Sequence, residues 1–447
     1  MGEEVVSVSS EAPRPLWLPK TGPGNLNVPP EEWGMKLSQW SAFIAACICA
    51  KSLWSELEAS TCRKEAGCVN LYQICDHFVK PWTSNCGNSI ALLMNNQAPL
   101  AAEIMVSHAW GECIMESLVA LLGKCSTMGV SLDTPVWFCT FAQYQPGDMP
   151  GDCGPGVKEQ LALDPFKKVI DSKPRFGMLV IHTSRAELYG RLWCVYEVNE
   201  AKGSQVTPTA SMSMRYMLDT GKKLKDDADA LQVKTEVARC WSPDDAKMIR
   251  SKIIEQGGFE NLDQTIYTFR TSSFEKSKNF LDVFNIWFTV FPTGEPGDAT
   301  DFVIALIRKA ALWVGLHCLT PLAKSAGDQQ TLDNILDLAE GVAAHFSRPE
   351  CQFGPGIPPP PCIDRSYLIP LEEHPDVDSE ENCYEALSNL ERGKFGGFMV
   401  GLLEMSAGGS DKESRFTESC FTASPDQPSV EQAVNSKATK SQACCIL

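Results

Sequence analysis

Three short apolar runs decide the fold of this chain: AEIMVSHAW (102–110), PVWFCTF (135–141) and GMLVIHTS (177–184). Each is continuous rather than alternating, and each ends in polar residues. Helical segments, ESLVALLGKC (116–125) and DPFKKVIDS (164–172), lie between them. Continuous apolar strands separated by helices mark a parallel sheet covered on both faces. Residues 99–215 are therefore expected to form an α/β domain. VTPTASMSM (206–214) is a weaker candidate for a fourth strand.

The rest of the chain is read outward from that sheet. It has 447 residues, long enough for two or three domains. Residues 1–32 are rich in Pro and Gly without apolar periodicity, which predicts a flexible arm. Residues 33–98 read as a helical lead-in. WGMKLSQWSAFIAACICAKSLWSELEAS (33–60) has helical spacing, and VNLYQICDHFVKPW (69–82) predicts a helix stopped by Pro81. Residues 216–345 are expected to be helical, with Ser242 capping SPDDAKMIRSKIIEQGG (242–258). A Pro-rich linker is read over 346–365, a short segment over 366–404, and a disordered tail over 405–447.

Charge and cysteine usage exclude several functions. The net charge of −17 argues against nucleic-acid binding, where a basic face supplies most of the affinity. The start, MGEEVVSVSS, lacks the apolar core of a secretory signal. Many of the 19 cysteines sit inside apolar runs such as AACICA and GLHCL, which suits a reducing cytoplasm. Cys62, Cys68, Cys75 and Cys86 form no close pair, so zinc is not expected. FVIALIRKAALWVGLHCL (302–319) carries Arg308 and Lys309 at its middle, which marks a buried helix rather than a membrane span.

In such a sheet, ligands bind beyond the carboxyl ends of the strands. Three loops fall there: Ser107–Glu112, Ala142–Gln145 and Thr183–Arg185, which includes Ser184. All are rich in hydrogen-bonding or aromatic groups, as a polar ligand with a flat ring requires. The alternative is that strand ends are polar simply because they meet water. RLWCVYEVNEA (191–201) follows the third loop and predicts a helix leaving the same edge. Trp193 and Glu197 are four residues apart, hence on one face. Glu197 is then either a carboxylate shielded by Trp193, with a raised pKa and an affinity for ligand hydroxyls, or the wet side of an ordinary helix. The loop QPGDMPGDCGPG (145–156) has the glycines of a phosphate cradle but no following Lys-Ser, and its aspartates would repel phosphate. It reads as a turn-rich surface loop.

The order VSHAWGE, PVWFCTFAQYQ, GMLVIHTS, RLWCVYEV resembles the Toll/interleukin-1 receptor (TIR) domain, most of all the divergent TIR-like proteins of algae and other protists. It is also similar to fungal heterokaryon-incompatibility domains, which share an SHxWG. The resemblance covers about a quarter of the chain. It implies a flavodoxin-like sheet and, in catalytic members, cleavage of NAD+ at the nicotinamide–ribose bond. The family's catalytic glutamate maps onto Glu197 within WCxxE. Ser107, His108 and Trp110 would line the pocket, with Trp110 or Trp137 stacking on a ring. NAD+ is then a substrate, and no cofactor is implied. One departure is that the related strand reads WID, whereas Cys139 follows Phe138 here. Many TIR domains only self-associate, so a non-catalytic adaptor is the rival expectation.

The chain stops at QACCIL (442–447), which fits a prenylation box at Cys444, or a double-Cys signal that includes Cys445. One prenyl chain anchors only marginally; Cys420 is a candidate for a second lipid, and Lys437 and Lys440 form a weak basic patch. Myristoylation of Gly2 is not expected, because Val6 stands where Ser is required. Peripheral membrane attachment of a cytoplasmic protein is the resulting expectation.

Overall fold

The computed structural model describes residues 12–60, 68–290 and 296–346. The predicted linker, C-terminal segment, tail and Cys444 lie outside the described residues.

Each of the three apolar runs forms a strand. Ile104–Ser107 is β2, Pro135–Phe138 is β3 and Met178–His182 is β4. The weaker candidate is β5, Pro208–Met212. A two-residue strand, β1 (Met35–Lys36), was not legible because two residues carry no period. The sheet order is β1-β3-β2-β4-β5. β2 to β5 are parallel, and β1 runs antiparallel along β3. The protein is a mixed α/β fold with a mostly parallel five-stranded sheet.

Alternation along the strands divides the core. Ile104, Val106, Val136, Phe138, Leu179 and Ile181 face one helical layer. Met105, Trp137, Met178 and Val180 face the other. Successive side chains of a strand point to opposite faces, so a strand covered on both sides is apolar throughout. The first layer contains the helices Leu37–Cys49, Ile114–Thr127 and Pro296–Ser325. The second contains Pro165–Asp171, Leu192–Gly203 and Pro243–Glu255. The helices on either side of the α/β segment are thus walls of the same core, not separate units.

The helix Pro296–Ser325 crosses Leu37–Cys49 closely. A side-chain carbon at Gly315 would lie 2.8 Å from the Ser41 carbonyl oxygen, so only glycine permits this approach. No described helix is long and apolar enough to cross a membrane.

Two expectations are corrected. The arm read over 1–32 is packed from residue 12 onward. Trp17 meets Trp82 edge-on at 6.4 Å, and the Trp82 indole donates to the Ala12 carbonyl at 3.1 Å. Buried Asn25 donates to the Ala142 carbonyl at 2.9 Å and accepts from the Ser89 amide at 2.7 Å. A segment pinned by such contacts needs no apolar period. Pro81 does not end its helix either. The chain runs Leu71–Ile74, widens to a π-turn at Cys75–Val79 and continues through Lys80–Thr83. The wide turn accommodates the missing N–H and the ring. Ser242 caps its helix as expected, accepting from the Asp245 amide at 3.2 Å.

Candidate functional site

The chain passes from β2 to β3 on one side and then returns past β2 to β4. The switch in strand order lies at the carboxyl ends of β2 and β4, where open α/β sheets place ligands. Ser107 ends β2, His108 follows it, Cys139 follows β3, and the helix Leu192–Gly203 leaves the loop after β4.

That helix is not amphipathic. Leu192 and every residue from Cys194 to Ala201 are buried. This removes the wet-face reading of Glu197, which is 4% exposed. Glu200 is equally buried but paired, with Gln256 donating to it at 3.0 Å and the Lys167 ammonium 3.6 Å away as an ion pair. Glu197 has an Oε2 without any hydrogen-bond partner. Burial pushes its pKa from 4.5 up to about 7, and the neighbouring Ser107 side chain and the Arg191 charge draw it back only in part.

A second group lies against it. The His108 Nε2 is 3.1 Å from the Cys139 Sγ, and its Nδ1 is 3.5 Å from the Glu112 Oε1. The Cys194 thiol donates to the His108 carbonyl at 3.2 Å. Burial opposes ionisation of Cys139, but His108, through charge and hydrogen bond, outweighs it with help from Arg191 and lowers the thiol below 9.0. Burial raises Glu112 to about 8, against the pull of Ser117, the Ala109 backbone and Arg191. The order thiol, imidazole, carboxyl is that of an activated nucleophile. Cys139, immediately after β3, thus partners the histidine immediately after β2.

Unpaired polar atoms concentrate at this edge. Among the described residues, Arg191 Nη1 and Glu197 Oε2 are buried without hydrogen-bond partners, and the His108 Nδ1 and Glu112 Oε1 approach each other only at 3.5 Å. Interiors normally satisfy such atoms, so their occurrence together at the ligand edge makes this a candidate site. Arg191 covers the group from outside, its guanidinium 5.6 Å from the Trp110 ring centre, and Trp110 tilts against half-exposed Tyr72 at 5.4 Å. No family model, curated protein or solved structure matches this chain. The site is therefore read from its own side chains.

The structure brings together Glu197, Ser107, His108 and, at the rim, Trp110. It separates the others. Trp137 is fully buried and meets Phe166 at 5.2 Å in the core facing away from His108 and Phe138. It cannot stack on a ligand. Partly buried Trp193 stacks on Phe166 at 4.7 Å and meets Tyr196 edge-on at 5.7 Å, in the same core as Trp137. Ser184 belongs to Glu116, to which its amide donates at 2.8 Å and its hydroxyl at 2.7 Å. Glu112 was noted only as a member of the loop Ser107–Glu112, Cys139 only as a departure from the related strand, and Arg191 was given no role. Their only signal was position, immediately after a strand or before a helix on the ligand edge. Among the described residues no three His, Cys, Asp or Glu side chains are grouped as a metal site.

Proposed function

We propose that this chain is a TIR-like signalling protein of flavodoxin-like topology, in which Glu197 promotes cleavage of NAD+ at the nicotinamide–ribose bond. The observation that carries this reading is the buried, raised Glu197 carboxylate with an unpartnered oxygen at the ligand edge of a parallel sheet. As the C–N bond breaks, its electron pair leaves with nicotinamide and positive charge develops on the ribose. A carboxylate in a water-poor site stabilises that charge far more than it would in bulk water. Water then adds to the ribose carbon and loses a proton, giving ADP-ribose. Ser107 and His108 supply polar contacts, and the Trp110 face is the ring surface nearest the rim. Substrate enters where Arg191 now lies over Trp110.

The test is nicotinamide release from NAD+ at high protein concentration, beside Glu197→Ala. Release that falls at least about 100-fold in the variant is expected, the size of loss seen when one electrostatic stabiliser of a transition state is removed. No release, or equal release from both proteins, overturns the reading. A second reading is favoured by how closed the site is, with Ser107, His108, Glu112 and Glu197 all buried. It is a self-assembly adaptor, tethered through a prenyl group at Cys444. Light scattering that shows concentration-dependent oligomers unchanged by Glu197→Ala, without nicotinamide release, would select it.

A further inference from the structure

Two cysteines meet beside the rim of the Glu197 site. Cys113 immediately precedes the helix Ile114–Thr127, and Cys68 lies on the segment that leads into Leu71–Ile74. The two segments run antiparallel. Asn70 and Cys113 form a bridge, the Ile114 amide donates to the Val69 carbonyl at 2.9 Å, and the Leu71 amide donates to the Trp110 carbonyl at 3.0 Å. Cys68 stands two residues before Asn70, so its side chain takes the same side of this ribbon as that of Cys113, at the diagonal position. Both cysteines are buried thiols, and the Cys68 thiol donates a hydrogen bond to the Cys113 sulfur.

The pair is chemically unequal. The hydrogen bond from Cys68 draws the Cys113 thiol below its ordinary range against the effect of burial, and the Arg308 guanidinium, 3.7 Å from the Cys113 Sγ, adds to it. The same bond, with burial, raises Cys68. Cys113 is therefore the sulfur that ionises, and Cys68 the one that keeps its proton. Arg308 also lines a crevice of about 540 Å³, together with Met115 and Glu116. Cys113 thus lies one side chain behind an open wall, within reach of a small oxidant.

We propose that Cys68 and Cys113 form a reversible disulfide on exposure to a peroxide. The Cys113 thiolate attacks one peroxide oxygen, the O–O bond breaks, and the departing hydroxide takes up a proton as water. Cys113 is then a sulfenic acid. The Cys68 sulfur attacks the sulfenic sulfur, the S–O bond breaks, and the departing hydroxide takes the Cys68 proton as a second water. The two sulfurs lose the two electrons that the peroxide gains. A stabilised thiolate favours the reduced pair, so thiol reductants reverse the bond. The bond staples the start of Ile114–Thr127 to the segment before Leu71. Trp110 and Tyr72, whose rings meet at 5.4 Å, lie on these two segments, so oxidation stiffens the rim. The proposal does not depend on what Glu197 does.

The experiment treats the full chain with hydrogen peroxide under native conditions, unfolds it in N-ethylmaleimide and reads the digested peptides by mass spectrometry. Exposed Cys153 measures the dose. A peptide joining Cys68 to Cys113 is expected in at least half of the molecules at a dose that oxidises Cys153, and dithiothreitol should remove it. Amide hydrogen exchange over residues 69–72 should slow at least about tenfold in the oxidised chain. Cys68→Ser should leave Cys113 as a sulfenic acid that dimedone traps, and Cys113→Ser should leave Cys68 reduced. The first measurement uses the unaltered chain and so needs no variant to fold. Both residues still thiols when Cys153 is oxidised, either one joined to a different cysteine, or exchange unchanged by the bond would each overturn the proposal.

Discussion

Replacing Glu197 by Gln should stabilise the protein, and by an amount that grows with pH. The carboxyl is raised from 4.5 to about 7 in the folded chain by burial, so the folded state holds its proton more tightly than the unfolded state does. Below pH 4.5 both states are protonated and the group contributes nothing. As pH rises, the unfolded state releases its proton first and gains stability relative to the folded state. Above pH 7 the full cost is present. The gap between 4.5 and about 7, at about 1.4 kcal/mol per pH unit, comes to about 3 kcal/mol. Gln has the same shape and does not titrate. Its amide carries a burial cost of its own, but that cost is constant with pH, so the slope and not the offset is diagnostic. Urea unfolding of both proteins, followed by tryptophan fluorescence at several pH values between 5 and 8, measures it. The difference in unfolding free energy should move by about 2.5 kcal/mol in favour of the variant across that range, since part of the shift is already present at pH 5. Glu112, also raised, is common to both proteins and drops out of the comparison. A difference flat with pH would refute the claim that Glu197 is a buried titrating carboxylate. Stabilisation coupled to loss of nicotinamide release is the pattern of a charge kept for function at the expense of stability.

Trp137→Ala should cost about 4 kcal/mol by emptying a fully buried ring site against Phe166, while nicotinamide release per folded molecule stays within a few-fold. A raised KM with unchanged unfolding free energy would instead return Trp137 to the ligand site. Alkylation of the buried Cys139 thiol by iodoacetamide at pH 7 should be slower in His108→Ala than in the unchanged protein, because the lowered pKa depends on the imidazole. Site-resolved mass spectrometry reads the rates, and equal rates at pH 7 would contradict the pairing.

The sheet was legible because burial on both faces makes a strand apolar throughout, and β2, β3 and β4 carry that pattern. Glu197 was legible only as a position on a helix at the ligand edge. Its burial was not, because the helix Leu192–Gly203 is covered from sides set by residues far away in sequence, including Pro165–Asp171 and Pro243–Glu255. The side of the sheet that Trp137 takes was not legible for a related reason. A strand covered on both sides gives no sign of which face a given side chain takes. The packed Pro-rich segment after residue 12 failed because its order comes from individual hydrogen bonds, such as those of Asn25, rather than from a period.

The amino-acid order alone therefore determined the four parallel strands β2 to β5, the helices between them and the edge where polar groups collect, since these follow from local periodicity. Which polar groups meet was decided only by the tertiary structure. His108 finds Cys139 across a 31-residue gap at 3.1 Å, and Ser184 finds Glu116 across 68 residues instead of Glu197. Those pairings depend on strand order and on the register of neighbouring strands, which are long-range properties that no local pattern records.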